Sequence, residues 1–474
     1  MTKQFIDYNI SENILNALGE MDFSVPTEIQ DKSISVLLES NKDFVGQAQT
    51  GTGKTAAFVV PLLEKINEKK QVTQALILAP TRELAMQVEE EIKKIGKHTK
   101  IKSTCVYGGT AYEGQLQALR GQPHIVVGTP GRVLDLLGKR KIKLSSANFC
   151  VLDEADEMLT MGFLEDVQEI LSFFTNERQL IMFSATMPRP IVSMIDREFK
   201  NPTKVHIEKK TMSNSDIEQK YFVVRDKHLK EGLSRLIDDA HNVYGIVFCR
   251  TKIETREVAD DLKRRGHLVE VLNGDMGQTE RDLAMKNFRS KKVNLLVCTD
   301  VAARGIDINN LTHVFNYGMP RDNESYVHRI GRTGRAGEKG KAYSVIGARE
   351  ASFIKGLEKH IKQKIIKDKL PTVEKLKESL VLKDLENAKY ILDAVLSKGD
   401  DFKTEKSFEH FKEKFGELET EELLKVMFVW KFNKDMRRYN NLADIESTSS
   451  SDKPKKRINT KVRNERISRR NKRK

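Results

Sequence analysis

The segment DFVGQAQTGTGKT at residues 43–55 limits the possible folds more than any other part of the sequence. A short apolar run leads into a glycine-rich turn, and a helical pattern follows. Gly51 and Gly53 would let backbone N–H groups close on phosphate oxygens, and Lys54 would meet the β- and γ-phosphates. Such a strand, loop and helix predict a parallel α/β sheet that binds a nucleotide.

The first position of this loop departs from the common pattern G-x-x-x-x-G-K-[ST], because Ala48 replaces a glycine. Alanine costs little there if the backbone does not need a positive φ. Thr55 would bind Mg²⁺, and the helix that starts here would present its positive end to the phosphates. The candidate nucleotide ligands of the loop are Ala48, Gln49, Thr50, Gly51, Thr52, Gly53, Lys54 and Thr55.

An acidic pair ends another apolar run, in NFCVLDEADEML. Asp153 would help to hold Mg²⁺, and Glu154 would orient and polarise the attacking water. The same letters could form only an acidic helix start, which the helix dipole favours. The phosphate-binding loop in the same sheet makes the catalytic interpretation the preferred one. No N-K-x-D follows a strand, so guanine selectivity is not indicated.

The chain of 474 residues is longer than the roughly 250–300 residues at which a single core stops growing. From Asp43 to about Ile207, helical patterns alternate with short apolar runs that predict strands, namely DFVGQ, QALILAP, HIVVGTP, NFCVLDEAD and RQLIMFSAT, and the alternation returns in the second half. This predicts two α/β domains with parallel sheets, at residues 1–207 and 217–360. The polar residues 208–216 suit a linker.

The sequence pattern changes after Lys369: residues 371–440 have helical apolar spacing without a strand signal. Met427 and Trp430 share a helical face, and the wide apolar surface around them must pack either on its own chain or on a second copy. Residues 451–474 hold twelve Lys and Arg against two acids, a net +10 of the chain's +14. Such a tail is expected to be disordered when free and to attract nucleic-acid phosphates.

Three arginines recur at a spacing of three in VHRIGRTGRAG, namely Arg329, Arg332 and Arg335. The intervening glycines would weaken a solvated helix, so a plain surface helix is a poor explanation. A guanidinium brought to the γ-phosphate from outside the loop stabilises the transition state of phosphoryl transfer. Hydrolysis would then depend on closure of the two domains.

Four scattered cysteines, without a CxxC pair, indicate reduced thiols. The first residues show no secretory leader, and no apolar run approaches the ~20 residues of a membrane span. Together these features predict a cytoplasmic protein that does not use a membrane.

These segments, in this order, resemble the DEAD-box ATP-dependent RNA helicases of the bacterial cold-shock type, from Phe5 to about Leu357. The resemblance implies two tandem RecA-like domains, ATP and Mg²⁺ as cofactors, RNA as partner and a role in stress response. The loop of that family has the form AxTGxGKT, so Ala48 is its normal residue. The helical region at 371–440 resembles, more weakly, a dimerisation region.

The stretch DFSVPTEIQ resembles the family's adenine-reading motif. It implies that Gln30 contacts the base edge, that Thr27 supports it and that Phe5 stacks on the base. Thr27 and Gln30 also form the T-x-x-Q pattern of a capping box, and both roles are compatible. Asp22 occupies a position where the family usually has glycine.

The resemblance also assigns the remaining candidates. Arg332 and Arg335 match the family's arginine fingers, and Asp307 would reach the nucleotide. Ser184, Thr186, Asp156 and His328 would couple hydrolysis to strand separation. The implied RNA contacts are Pro80, Thr81, Arg82, Gly108, Gly109, Thr129, Pro130, Gly131, Arg132, Arg250, Gly274, Arg281, Thr299 and Arg304.

The function that follows is an ATPase stimulated by RNA, which separates short duplexes when ATP and a single strand close the two domains. One alternative is an ATP-gated RNA clamp or scaffold, and a weaker one is a DNA translocase. The RNA target and the pathway, with its ribosome-assembly or RNA-decay partners, do not follow from the residues.

Overall fold

The computed structural model describes residues 3–48, 51–207, 217–303, 308, 311–334, 339–383, 385, 412–440 and 442–445. The chain divides into two compact units, the first covering Met1–Ser213 and the second most of the chain from Asn214 onward. Each unit contains one seven-stranded sheet whose recorded strand pairs are all parallel. The expected fold class of two parallel α/β domains is therefore confirmed.

The sheet of the first unit has the order β3-β4-β2-β5-β6-β1-β7. Its central strands are short apolar runs that are buried on both faces, as expected for a sheet with helices on either side. The strands are β1 Phe44–Gln47, β2 Ala75–Leu78, β3 Ser103–Val106, β4 Ile125–Gly128, β5 Phe149–Leu152, β6 Gln179–Ser184 and β7 Thr203–His206.

The helices of the first unit cover this sheet with two apolar clusters, one that includes Phe44 and one that includes Val45. Because successive side chains of a strand point to opposite faces, these two neighbours mark the two layers of the core. The helices are α1 Glu12–Glu20, α2 Glu28–Glu39, α3 Lys54–Lys65, α4 Arg82–Ile95, α5 Tyr112–Arg120, α6 Pro130–Gly138, α7 Ala155–Thr160, α8 Leu164–Ser172 and α9 Arg189–Glu198, and Phe5–Asp7 forms one 3₁₀ turn.

The second unit repeats the design with the strand order β10-β11-β9-β12-β13-β8-β14. Its strands are β8 Ile217–Val224, β9 Gly245–Cys249, β10 Val269–Leu272, β11 Leu295–Thr299, β12 His313–Tyr317, β13 Gly340–Gly347 and β14 Ile366–Lys367. Its helices are α10 Leu229–Asp239, α11 Lys252–Arg264, α12 Gln278–Arg289, α13 Asp300–Ala303, α14 Asn323–Ile330 and α15 Ala351–Ile361, and Asp226–His228 forms a second 3₁₀ turn.

The region after the second sheet is helical over residues 373–383 and 412–415 and in α16, Thr420–Asn440. The end of α16 is anchored on the second unit, because Arg438 donates to the Arg265 carbonyl at 2.7 Å and to Asp238 Oδ2 at 2.8 Å. Residues 386–411 of the predicted helical region, the linker 208–216 and the basic tail 451–474 lie outside the described residues.

Within the described ranges, no helix combines the length and the apolarity that a membrane span requires.

Candidate nucleotide and nucleic-acid site

The candidate residues of the first unit lie where its strands end. The phosphate-binding loop follows β1, the acidic segment follows β5, and Ser184 ends β6. These three strands are neighbours in the sheet, and β3, β4 and β2, which precede the implied RNA contacts, are neighbours beside them. The candidate nucleotide residues therefore occupy one half of the carboxyl edge and the candidate nucleic-acid residues the other, in the position where open α/β sheets bind ligands. We call these parts the nucleotide half and the nucleic-acid half.

Ala48 continues β1 beyond its last paired residue. Its N–H donates to the Ser184 carbonyl at 3.1 Å, and Ala48 is not among the residues with positive φ. The condition under which alanine is tolerated at this position is therefore met. The turn itself needs its glycines, because Gly51 has a φ of 79° and Gly53 a φ of 86°. Gln49 and Thr50 lie outside the described residues.

Lys54 and Asp153 are two buried charges at the nucleotide half of the edge. Lys54 is 6% exposed, and its Nζ has no hydrogen-bond partner among the described residues. Asp153 is 2% exposed, and its Oδ1 is likewise without a partner in the described part of the chain. Burial raises the pKa of Asp153 to about 7, although the nearby Lys54 opposes the shift. A phosphate with a divalent cation would fit these two groups, because the phosphate would accept from the buried ammonium and the cation would bind the buried carboxylate oxygen.

Glu154 adopts a strained backbone conformation. Its φ of 51° and ψ of 54° lie in the left-handed region, immediately before α7 begins at Ala155. A residue with a Cβ atom costs about 1–2 kcal/mol there. Strain of this kind is concentrated at functional sites, because the surrounding structure must enforce it.

Among the described residues, no group of three or more His, Cys, Asp or Glu is placed to hold a metal ion.

Asp156 is bonded to the segment that follows β6. Its Oδ2 accepts from the Thr186 N–H at 2.8 Å and from the Thr186 hydroxyl at 2.9 Å. The Asp156 N–H donates to Ser184 Oγ at 3.2 Å, and that hydroxyl donates to the Thr186 carbonyl at 2.7 Å. The three coupling candidates of the first unit thus form one hydrogen-bonded group in a buried setting, which ties β6 to the acidic segment.

The adenine candidates contact the phosphate-binding loop directly. Gln30 Oε1 accepts from the Thr27 N–H at 2.8 Å, in the expected capping box. Gln30 Nε2 donates to the Gly53 carbonyl at 3.1 Å, and the Thr27 hydroxyl donates to the Thr52 carbonyl at 2.8 Å. Asp22 has a φ of 57°, so it takes the conformation that a glycine would supply, which aspartate tolerates better than most residues.

Phe5 is buried in the core cluster of the first unit rather than presented at its surface. Its ring lies 6.5 Å from the ring of Phe23, nearly parallel to it, and 6.4 Å from that of Tyr8. The implied stacking of Phe5 on adenine stays a prediction.

The nucleic-acid half of the edge holds two arginines that rest on aromatic rings. Arg82 Cζ lies 4.6 Å from the ring centroid of Tyr107, and Arg132 Cζ lies 4.1 Å from that of Tyr112. The tyrosines were missed from the sequence, although an aromatic residue just before Gly108 and another soon after Gly109 are a usable signal. Cation–π contact of this kind fixes a guanidinium that would otherwise be mobile.

The other candidates of this half lie in turns and first helical turns. Pro80 and Thr81 precede α4, and Thr81 Oγ1 caps that helix by accepting from the Leu84 N–H at 3.3 Å. Gly108 and Gly109 are exposed in the turn after β3, and Thr129, Pro130 and Gly131 form the start of α6. Of these, Gly108, Gly109 and Gly131 are exposed, and exposed glycine backbone of this kind suits the phosphates of a nucleic acid.

In the second unit, the first arginine of the triplet has a structural role. Arg329 is 1% exposed and donates to Asp300 Oδ2 through Nη2 at 2.8 Å and to Asn316 Oδ1 through Nη1 at 3.1 Å. A buried, bidentate pair of this type is costly to break. Arg329 thus links α14 to Asp300, the first residue of α13, which directly follows Thr299. Arg332 and His328 lie at the same end of α14 as Arg329.

The remaining candidates of the second unit also follow strand ends or begin helices. Arg250 follows β9 and pairs with Glu254 at 3.3 Å and with Glu350 at 2.9 Å. Gly274 lies in the turn after β10, and Arg281 lies in the first turn of α12. Arg304, Asp307 and Arg335 lie outside the described residues.

Two protein-family models match the chain. A DEAD/DEAH box helicase model matches residues 27–194, and a helicase conserved C-terminal domain model matches residues 228–337. The chain is 46% identical over 374 residues to the DEAD-box ATP-dependent RNA helicase CshA of Bacillus subtilis (strain 168), covering 79% of this chain and 76% of the relative. It is 41% identical over 385 residues to the DEAD-box ATP-dependent RNA helicase RhpA of Helicobacter pylori (strain B128), covering 81% and 77%.

The solved structure of S. cerevisiae Dbp5 bound to RNA and ADP BeF3 is similar to this chain, with a TM-score of 0.71 and 31% sequence identity. The similarity covers 80% of this chain and 100% of that one.

Proposed function

The chain belongs to the DEAD-box family of ATP-dependent RNA helicases, and on that premise we propose that it separates short RNA duplexes by RNA-stimulated ATP hydrolysis. The observation that carries the proposal is the buried Lys54 ammonium, which has no hydrogen-bond partner among the described residues. Desolvating a cation is unfavourable unless an anion compensates it, and the glycine turn beside Lys54 suits phosphates.

Thr55 and Asp153 are the residues that would hold Mg²⁺ beside the phosphates of ATP. A Mg²⁺ ion there would neutralise charge that develops on the transferred phosphoryl group. Glu154 would orient the attacking water and accept its proton, since its strained backbone fixes where the carboxylate starts. Gln30 would read the adenine edge, and Phe5 would stack on the base.

The second unit would complete the reaction. Arg332 and Arg335 would stabilise charge on the γ-phosphate, and Asp307 would contact the nucleotide. Because Arg332 and Arg335 belong to the unit that does not contain Lys54, hydrolysis would require closure of the two units, which ATP and RNA would promote together. The hydrogen bonds among Asp156, Ser184 and Thr186 support a role in relaying the state of the acidic segment, with His328 as the corresponding group of the second unit.

RNA would be bound mainly through its backbone, so recognition would depend little on base sequence. The arginines held over tyrosine rings support this assignment for the first unit. Arg250, Arg281, Thr299 and Arg304 would serve the second unit. The related Dbp5 structure, which contains RNA and ADP BeF3, supports joint binding of both ligands.

We also propose that the helical region at 371–440 mediates a homodimer. Support comes from α16, whose apolar side chains from Leu424 to Trp430 are exposed. RNA remodelling, ribosome assembly or RNA decay, with partner proteins from those pathways, would be the setting, and the cytoplasmic location and stress response remain predictions.

Steady-state ATP hydrolysis, measured with single-stranded RNA and with DNA of the same sequence, tests the proposal. We expect RNA to stimulate hydrolysis and DNA to leave it near its basal rate. Lys54→Ala should abolish both the stimulated and the basal rate, and Lys32→Ala, on an exposed face of α2, is the matched control. Equal stimulation by DNA would instead favour the translocase alternative.

A further inference from the structure

Tyr112 lies between two helices of the first unit. It is the first residue of α5, and its side chain contacts Arg132 and Asp135 in α6 and Lys139, which follows α6. The spacing of these three residues places them on one helical face. Arg132 Cζ lies 4.1 Å from the ring centroid, and Lys139 Nζ lies 4.5 Å from it. The hydroxyl bonds to Asp135, so a single side chain contacts all three.

The guanidinium of Arg132 is restrained on two sides as well as by the ring. Its Nη1 donates to Gln115 Oε1 at 2.9 Å, and its Nη2 donates to the Thr110 carbonyl at 3.0 Å. Arg132 has five N–H donors, so these two bonds leave others for a further acceptor. A planar guanidinium that is already oriented loses less entropy when it binds a phosphate.

The polar end of Tyr112 keeps the ring in place. The pKa of Asp135 is lowered by its hydrogen bond from Lys139 and, after that, by its bond with Tyr112. Asp135 is therefore ionised near neutral pH and accepts a hydrogen bond from the Tyr112 hydroxyl. Lys139 Nζ also lies 2.8 Å from Asp135 Oδ1 and 3.1 Å from the Tyr112 hydroxyl. The ring consequently has little freedom to rotate away from Arg132.

We propose that Tyr112 is a positioning residue for RNA binding, which holds the Arg132 guanidinium ready for an RNA phosphate at the start of α6. The inference rests on the proposed function, because it takes RNA as the ligand of Arg132. Tyr112 itself acts through Arg132 and is not assigned a contact with RNA.

A purely structural role for Tyr112 is the competing explanation. Helix α5 contains no fully buried residue, so the ring could serve only to attach that helix to α6. The two explanations differ in how two substitutions combine. If Tyr112 acts through Arg132, its removal costs nothing further once Arg132 is absent, whereas independent roles give additive losses.

The experiment measures the dissociation constant of a labelled single-stranded RNA, with an ATP analogue present, for the full chain. The variants are Tyr112→Ala, Tyr112→Phe, Arg132→Ala and the double Tyr112→Ala/Arg132→Ala. Gln117→Ala, an exposed position on the same helix, is the matched control. For each variant, nucleotide affinity is also measured without RNA, and KM for RNA and kcat are determined separately from RNA-stimulated ATP hydrolysis.

Tyr112→Ala should weaken RNA binding by about 3- to 10-fold, the range of a partly desolvated cation–π contact. Its KM for RNA should rise while kcat at saturating RNA and nucleotide affinity stay unchanged. Tyr112→Phe keeps the ring and should restore binding to within about twofold. The double variant should bind no more weakly than Arg132→Ala alone.

The inference is overturned if Tyr112→Ala binds RNA like the wild type, if the double variant shows additive losses, or if Arg132→Ala has no effect. These results leave the proposed function intact as long as RNA still stimulates hydrolysis by the wild-type chain. Absence of that stimulation is a distinct result, which overturns the proposed function and this inference with it.

Discussion

At the scale of single residues, the conformation of Glu154 connects backbone energy with chemistry. A left-handed backbone at a residue with a Cβ atom is unfavourable by about 1–2 kcal/mol, and the paired strand β5 and the start of α7 must enforce it. Because the backbone conformation fixes where the side chain of residue 154 begins, a side chain of the same shape should keep the geometry and lose only the chemistry.

Glu154→Gln should therefore bind ATP with nearly unchanged affinity and hydrolyse it about 10²- to 10⁴-fold more slowly, the usual contribution of a general base. Single-turnover hydrolysis and equilibrium binding of a fluorescent nucleotide separate the two effects. Glu165→Gln, in the first turn of α8, is the control. Full biological function of the slow variant would favour the RNA clamp.

Asp153 gives a prediction about pH. Its folded pKa is raised to about 7, whereas the unfolded value is about 3.9. Between these values the folded protein holds the proton more tightly, so ionisation of Asp153 lowers the free energy of unfolding as the pH rises from 4 to 7. Asparagine does not ionise and escapes this loss.

In nucleotide-free protein, the melting temperature of Asp153→Asn minus that of the wild type should become more positive from pH 5 to pH 8. Differential scanning calorimetry at several pH values measures this difference. ATP with Mg²⁺ should reverse the order at pH 8, because only the wild type gains stability from the bound cation. A difference that is constant with pH would contradict the raised pKa.

At the scale of elements, α16 divides into two halves. Its end is anchored by Arg438, and Phe432 and Tyr439 are buried. Its first half is exposed on several sides, and Trp430 is 75% exposed. Packing on the described part of its own chain therefore does not account for the apolar sequence there, which is the observation behind the proposed dimer.

Trp430 is the only tryptophan of the chain, so its fluorescence reports on this surface alone. We expect the full chain to scatter light as a dimer and its emission to shift to the red on dilution as the indole becomes hydrated. Met427→Glu should give a monomer at all concentrations. Val72→Glu, at an exposed apolar residue of the first unit, should leave the dimer intact. A monomeric wild type would reject the proposal.

The elements also show what sequence patterns can and cannot reveal. Apolar runs such as ALIL and IVVG predicted the central strands, because a strand buried on both faces has no polar alternation to obscure it. The edge strand β3, STCV, was missed, since its half-buried, polar residues carry little periodic signal. The sequence shows Asp22 where the family usually has glycine, but only the backbone shows that it adopts the glycine-like conformation.

The candidate site residues likewise divide into those that the sequence reveals and those that only the structure reveals. The residues of the phosphate-binding loop and the acidic segment could be named from spacing, because that chemistry requires fixed residue types. The burial of Arg329 and the rings beneath Arg82 and Arg132 could not, because they depend on which strands and helices become neighbours. The tyrosines near Gly108 and Gly109 are visible in the sequence, but the sequence does not show which arginine lies over each ring.

At the scale of the whole molecule, charge is distributed very unevenly. The last 24 residues hold a net +10, which leaves +4 for the other 450. Removing 451–474 should weaken RNA binding and flatten its dependence on salt, since fewer counterions are released, with ATP affinity almost unchanged. Titration of labelled RNA at several salt concentrations measures the slope. A tail of equal length with Lys and Arg changed to Gln is the control and should behave like the deletion; an unchanged slope would refute the prediction.

The amide of Gln30 has a wider consequence. Its oxygen and its nitrogen each hold a different backbone segment, at Thr27 and at Gly53, so the group that would read the base also braces the loop that would hold the phosphates. Base preference and loop order are therefore not independent traits. A substitution at Gln30 that aims to accept another nucleobase should loosen the loop at the same time, and any evolutionary change of nucleotide would have to rebuild both together.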